Sequence, residues 1–145
     1  MTRAIIVHNT RKGATAAIGK LIADGLSKSG IAVDVKDAAE IQNESDLTGY
    51  DVYVFGSATY HGEMLQLMKR ILFLAEKAKL RGKRGGAFGA FGWSGEAPDR
   101  IFNTMLHILG MDMVSGPLRV KSAEAPDDRA KALEYGALIA RRLQE

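Results

Sequence analysis

The stretch Ala4-Ile5-Ile6-Val7-His8-Asn9-Thr10-Arg11-Lys12-Gly13-Ala14-Thr15 decides how the chain is read. Ala4 to Val7 is a short apolar run rich in β-branched residues, too short for a helix and suited to a strand buried in a parallel sheet. His8 to Gly13 is polar and closes on a glycine, as a tight loop requires. From Ala14 the period changes: Ile18, Leu21, Ile22, Gly25 and Leu26 recur at helical spacing. A helix is predicted from Ala14 to Lys28, ended by Ser29-Gly30. A strand that feeds such a loop and then a helix leaves backbone N–H groups at the positive end of the helix dipole, where a phosphate binds. Thr10 and Thr15 add hydroxyl donors, and Gly13 allows close backbone approach. The plainer reading of the same residues is a strand–helix turn capped by Thr15. Neither the GxxxxGK(S/T) nor the GxGxxG pattern is present, so nucleoside-triphosphate and dinucleotide sites of those kinds are not expected.

Further strands are predicted at Ile31–Val35, an edge strand by its alternation, at Tyr50–Gly56, at Gly85–Phe91 and at Met113–Val120. Between Ala38 and Gly49 a short helix and a turn are expected. Helices are predicted over Met64–Lys79, with Leu65, Met68, Ile71, Leu72 and Ala75 inward, and after Pro98, with Ile101, Met105, Ile108 and Leu109 inward and Gly110 closing it. A last helix spans Asp127–Leu143, with Ala130, Leu133, Ala137 and Ala140 facing the core. Strands alternating with helices predict an α/β domain with a parallel sheet covered on both faces, because crossovers are right-handed. Ligands of such sheets bind beyond the carboxyl ends of the strands. Three loops rich in small and aromatic residues follow strands and should gather there.

The 145 residues fit one domain, and no run reaches the ~18–20 apolar residues of a membrane helix. No signal-peptide pattern opens the chain, and cysteine is absent, so there is no disulfide framework or thiolate nucleophile and the expected location is cytoplasmic. Three scattered histidines offer no metal-binding spacing. Net charge is +3, and five of the twenty basic residues lie in Lys77-Ala78-Lys79-Leu80-Arg81-Gly82-Lys83-Arg84. That run joins a helix to the start of a strand, so it should sit at the opposite end of the sheet from the three loops. It lacks interleaved aromatics, and nucleic-acid binding is not expected.

Together the three loops resemble the flavodoxin family, most closely the flavodoxin-like domain of the A-type (flavodiiron) flavoproteins. Thr10-Arg11-Lys12-Gly13-Ala14-Thr15 looks like the family's phosphate loop. Gly56-Ser57-Ala58-Thr59-Tyr60-His61-Gly62 is similar to its second loop, with Ala58 in place of the usual proline, and Phe91-Gly92-Trp93-Ser94-Gly95-Glu96-Ala97 to its third. The resemblance implies a three-layer flavodoxin-like fold with a five-stranded parallel sheet in the order 2-1-3-4-5. Flavodoxin, with FMN at the switch in strand order, is itself a standard example of the ligand rule stated above. The resemblance also implies FMN here, its phosphate at the first loop and its ring between Ser57–Gly62 and the third loop. Tyr60 and Trp93 would supply flat apolar surfaces, and backbone N–H groups from Ala90 and Phe91 to Gly95 would meet the pyrimidine edge. A backbone carbonyl near His61-Gly62 would respond to reduction of the ring.

The function implied is electron transfer between redox partner proteins, a reductase and an acceptor, by a monomer or weak homo-oligomer. The alternative is an FMN-dependent oxidoreductase, of the protoporphyrinogen oxidase or quinone reductase kind, acting on a small substrate. No residue is singled out as catalytic, since His61 and His8 are expected to serve as hydrogen-bonding or structural groups. Tyr60, His61, Glu63, Trp93 and Glu96 are expected to form a mostly apolar, slightly acidic rim facing the partner.

Overall fold

In the computed structural model, which describes residues 2–91 and 95–144, the opening apolar run forms β1 (Arg3–Asn9), buried from Ala4 onward. Its side chains alternate across the sheet. Ala4 and Ile6 enter one apolar cluster, Ile5 and Val7 another on the opposite face. The chain continues through α1 (Ala14–Ser27), β2 (Ala32–Asp37) and two single-turn 3₁₀ segments at Ala38–Glu40 and Glu44–Leu47, each closed by a capping box. Next come β3 (Val52–Ser57), a two-stranded hairpin of β4 (Thr59–Tyr60) and β5 (Glu63–Met64), and α2 (Gln66–Lys77). β6 (Arg84–Ala90) leads to α3 (Glu96–Asn103), a π-helical turn (Thr104–Ile108), β7 (Asp112–Met113), β8 (Leu118–Val120) and α4 (Pro126–Leu143).

The main sheet runs β2-β1-β3-β6, with β7 and β8 pairing one after the other along the outer edge of β6, all parallel. With β6 as the fourth strand and β7 with β8 as the fifth, the order is 2-1-3-4-5, as expected. α1 and α4 pack on the face that holds Ile6, Val54 and Phe88; α2 and the α3 region cover Ile5, Phe55 and Ala87. The basic run from Lys77 to Arg84 connects the end of α2 to the start of β6, at the amino-terminal end of the strands.

Several boundaries differ from the sequence expectation. The strand predicted at Met113–Val120 is split: four residues, 114–117, lie opposite two, 86–87, of β6. Within that stretch Pro117 has no N–H to donate. α2 starts at Gln66 rather than Met64 because Glu63 and Met64 pair into the hairpin. Ile108, predicted inward, is 60% exposed. The π turn, in which the Leu109 N–H reaches back to the Thr104 carbonyl, widens the helix and rotates Ile108 away from the core. On α4 the buried stripe is Ala132, Tyr135, Gly136, Ile139 and Ala140, while Ala130 is exposed and Leu133 and Ala137 are only partly covered. The cause is a close crossing with α1. A Cβ on Gly25 would lie 2.3 Å from the Leu133 carbonyl oxygen, and one on Gly136 2.2 Å from that of Ile22. Two glycines let the helix backbones touch and so set which face of α4 turns inward.

Tyr135 repairs the broken ladder. Its hydroxyl accepts from the Ala87 N–H at 3.1 Å and has the carbonyls of Ala87 (3.1 Å) and Gly116 (3.2 Å) within reach of its single proton. Burial pushes this phenol up to about 12, so it remains a neutral donor. Tyr135→Phe leaves the buried Ala87 amide unpaired and is expected to cost about 1–3 kcal/mol in urea unfolding with the m-value unchanged.

Candidate functional site

The first loop builds one wall of a groove of about 370 Å³ at the carboxyl end of the sheet. Gly13 is the N-cap of α1 with φ at +94°, a conformation that favours glycine. The first backbone bond of α1 runs from the Ala17 N–H to the Gly13 carbonyl, leaving the amides of the first turn without intrahelical partners. No acidic side chain lies in that turn. Thr10 Oγ1 accepts from the Gly13 N–H at 2.9 Å, which holds the loop and leaves the Thr10 hydroxyl proton free to donate. Thr15 does not cap the helix. Its hydroxyl is fully buried, lines the groove and has no hydrogen-bond partner. A buried hydroxyl beside free helix amides is the donor set that a phosphate satisfies.

The second wall is a hairpin, where the sequence pattern alone reads as a plain loop. His61 (φ +52°) and Gly62 (φ +72°) form its two-residue turn, both left-handed, as a type I′ turn requires. Three polar side chains fix it. Asn9 Oδ1 accepts from the Met68 N–H at 3.0 Å, and the Asn9 carbonyl accepts from the Ala58 N–H at 3.0 Å. Ser57 Oγ accepts from the Leu65 N–H and donates to the Ala58 carbonyl; the side chain is fully buried, so its hydroxyl is engaged internally. Thr59 Oγ1 accepts from the Ala97 N–H at 3.0 Å, capping α3 from another loop. Ala58 and Thr59 line the groove.

Ala90, Phe91 and Lys121 form the third wall. The Phe91 amide, expected to face a ligand, instead donates to the Val120 carbonyl at 3.0 Å. Gly95 stands at the N-cap of α3. Gly92 and Trp93 lie outside the described residues. Lys121, which no sequence motif points to, follows β8 and places its ammonium 5.9 Å over the Phe91 ring. Only the pairing of β8 with β6 brings it beside the groove.

In the expected rim, Glu63 does not stand as a free carboxylate. Glu63 is approached by both Arg100 (3.7 Å) and Lys69 (3.9 Å), and Arg100 Nε also donates to the Gly62 carbonyl at 3.0 Å. Arg11 sits with its guanidinium 4.0 Å over the Tyr60 ring, a contact of about 0.5–1 kcal/mol at an exposed site. With Arg11, Lys12 and Lys121 on its lining, the groove mouth is cationic. Among the described residues no group of three His, Asp or Glu side chains is placed to hold a metal ion. Among the described residues no helix is long and apolar enough to cross a membrane.

The flavodoxin family model matches residues 6–136. The chain belongs to the flavodoxin family. It is 34% identical over 145 residues to the type A flavoprotein fprA of Rhodobacter capsulatus, covering 97% of this chain and 32% of that protein. It is 28% identical over 136 residues to the flavodoxin of Clostridium beijerinckii, covering 93% and 97%. Among solved structures, a flavodoxin from the domain Archaea superposes with a TM-score of 0.92 at 28% identity over 99% of this chain and all of that one. The chain thus spans about a third of the length of the type A flavoprotein and nearly all of the Clostridium flavodoxin. FMN is the cofactor of this family, and the donor set at Thr10, Thr15 and the first turn of α1 fits its phosphate.

Two buried side chains at the end of β1 are open to direct tests. Asn9→Ala removes the partner of the buried Met68 amide and is expected to cost about 1–3 kcal/mol in chemical unfolding. His8, buried at the end of β1 with Nδ1 unpartnered, is pulled below its ordinary 6.5 by burial, against the opposing pull of the Asp37 and Glu40 carboxylates. The unfolded chain therefore takes up a proton at this position more readily than the folded protein. The stability linked to His8 is present above pH 6.5 and lost as the pH falls through 6.5 toward the lower folded value. Urea midpoints at pH 7.5 and about 5.5 should fall less in His8→Gln than in the wild type.

Proposed function

We propose that residues 1–145 act as one FMN-binding domain that carries electrons between redox partner proteins in the cytoplasm. The observation that carries this reading is the buried, unpartnered Thr15 hydroxyl beside the free amides of α1. Thr10, Lys12, Gly13, Ala14 and Thr15 hold the phosphate, through hydroxyls, backbone amides and one ammonium. The hairpin residues Ala58, Thr59, Tyr60, His61 and Gly62 and the third-loop residues Ala90, Phe91, Gly92, Trp93 and Gly95 would hold the ring. When bound, FMN supplies one- and two-electron chemistry; the protein's part is to bind it, orient it and set the charge around it.

Ser57 acts at one remove. With its hydroxyl committed to the Leu65 amide and the Ala58 carbonyl, it positions the hairpin instead of touching the cofactor. Arg100 has a similar part, since its bond to the Gly62 carbonyl and its ion pair with Glu63 brace the turn from α3. The match to a flavodoxin along nearly its whole length favours a carrier over an oxidoreductase with its own small substrate. Rubredoxin-oxygen oxidoreductase of Megalodesulfovibrio gigas, of which this chain covers 36%, is named for a redox partner protein; a small redox protein is the class of partner we infer here.

Thr15→Val keeps the shape of the side chain and removes its only polar atom. One lost hydrogen bond to a charged phosphate corresponds to about 1.5–3 kcal/mol, or roughly ten- to a hundredfold in Kd. Fluorescence titration of the apoprotein should show that loss for FMN and little change for riboflavin. Equal losses for the two flavins would refute the phosphate assignment.

A further inference from the structure

Both Arg11 and Tyr60 are placed to meet a flavin ring by the order of the loops, and the structure separates them. Arg11 lines the groove, and Tyr60 is 46% exposed. Its guanidinium lies 4.0 Å over the Tyr60 ring, and the His61 ring packs on the same tyrosine at 4.1 Å. Arg11 forms no ion pair among the described residues, so its charge is not consumed by a carboxylate. A planar guanidinium backed by an aromatic ring is held in orientation and offers its other face for stacking. Lys12, next in the chain, is a compact cation suited to the phosphate.

Building on the FMN reading above, we propose that Arg11 and not Tyr60 is the group that faces the flavin ring on this side of the groove, with Tyr60 as its support. Such a cation favours the reduced cofactor. A ring that takes two electrons from a partner protein and one proton from water carries one net negative charge, whereas the oxidised ring is neutral. A cation fixed beside it therefore stabilises the reduced form more than the oxidised one. The +3 net charge of the chain is thereby put to local use, at the point where the ring charge changes.

The test compares FMN and riboflavin binding to the full chain with redox titration of the FMN-loaded protein, for wild type, Arg11→Ala, Arg11→Lys and Tyr60→Leu. Arg11→Ala should weaken both flavins by a similar factor, about threefold or more, in line with the loss of a stacked cation. It should also lower the midpoint potential, by a shift that shrinks at high salt. Arg11→Lys should retain most of the potential but less of the affinity, and Tyr60→Leu should act in the same direction as Arg11→Ala and less strongly. Weaker FMN with unchanged riboflavin would overturn the proposal and assign Arg11 to the phosphate. Tighter riboflavin in Arg11→Ala would overturn it the other way, by showing that Tyr60 is the stacking face and Arg11 covers it. A wild type that binds neither flavin would overturn the FMN reading and this inference with it.

Discussion

The buried side chain of Asn9 ties the sheet to the site. It lies at the carboxyl end of β1, and its amide oxygen accepts from an amide in the first turn of α2, fifty-nine residues on. Its backbone carbonyl accepts from Ala58 at the start of the second loop. Buried amides left without partners are costly, so these two bonds fix where the hairpin and α2 sit relative to the first loop. Ser57 and Thr59 extend the same arrangement, one to Leu65 and one across to α3. The element after the second wall is thus held by a side chain from the end of β1, and α3 by one from the second wall.

The three walls differ in what they offer a ligand. The first presents helix amides and hydroxyls, which suit a phosphate. The second is a type I′ hairpin whose turn is braced from outside by Arg100 and whose tyrosine is covered by Arg11. The third combines the end of β6 with a lysine from beyond β8. The cations collected here are Arg11, Lys12 and Lys121, while the most basic run of the chain, Lys77 to Arg84, lies at the other end of the sheet. At physiological salt, with a Debye length of about 8 Å, that distant run has little effect on the site. Net charge alone would have pointed to the wrong end of the molecule.

The outer edge of the sheet shows how an imperfect strand is accommodated. The extra residues before Leu118 leave an unpaired amide on β6, and a phenol from α4 fills the gap. That phenol reaches the gap because Gly25 and Gly136 let α1 and α4 cross in backbone contact. β8, and with it Lys121, is placed beside the groove by its pairing with β6.

Local patterns determined much of this. The apolar run Ala4–Val7, the change of period at Ala14 and the small-residue loops after three strands were enough for the α/β class and for gathering the three loops at one end of the sheet. Their signals lie between neighbours in sequence, where strand and helix periods and glycine conformations are set. The hairpin was within reach, since His61-Gly62 carries a type I′ signal, but Thr59–Tyr60 and Glu63–Met64 are too short to show alternation. What only the tertiary structure decided depends on residues far apart: Asn9 with Met68, Thr59 with Ala97, Tyr135 with Ala87, Lys121 with Phe91 and Arg11 with Tyr60. The inward face of α4 and the outward turn of Ile108 are of the same kind. A helix's own periodicity names candidate faces, but close backbone contact and a π turn select among them, and both arise only when the elements pack.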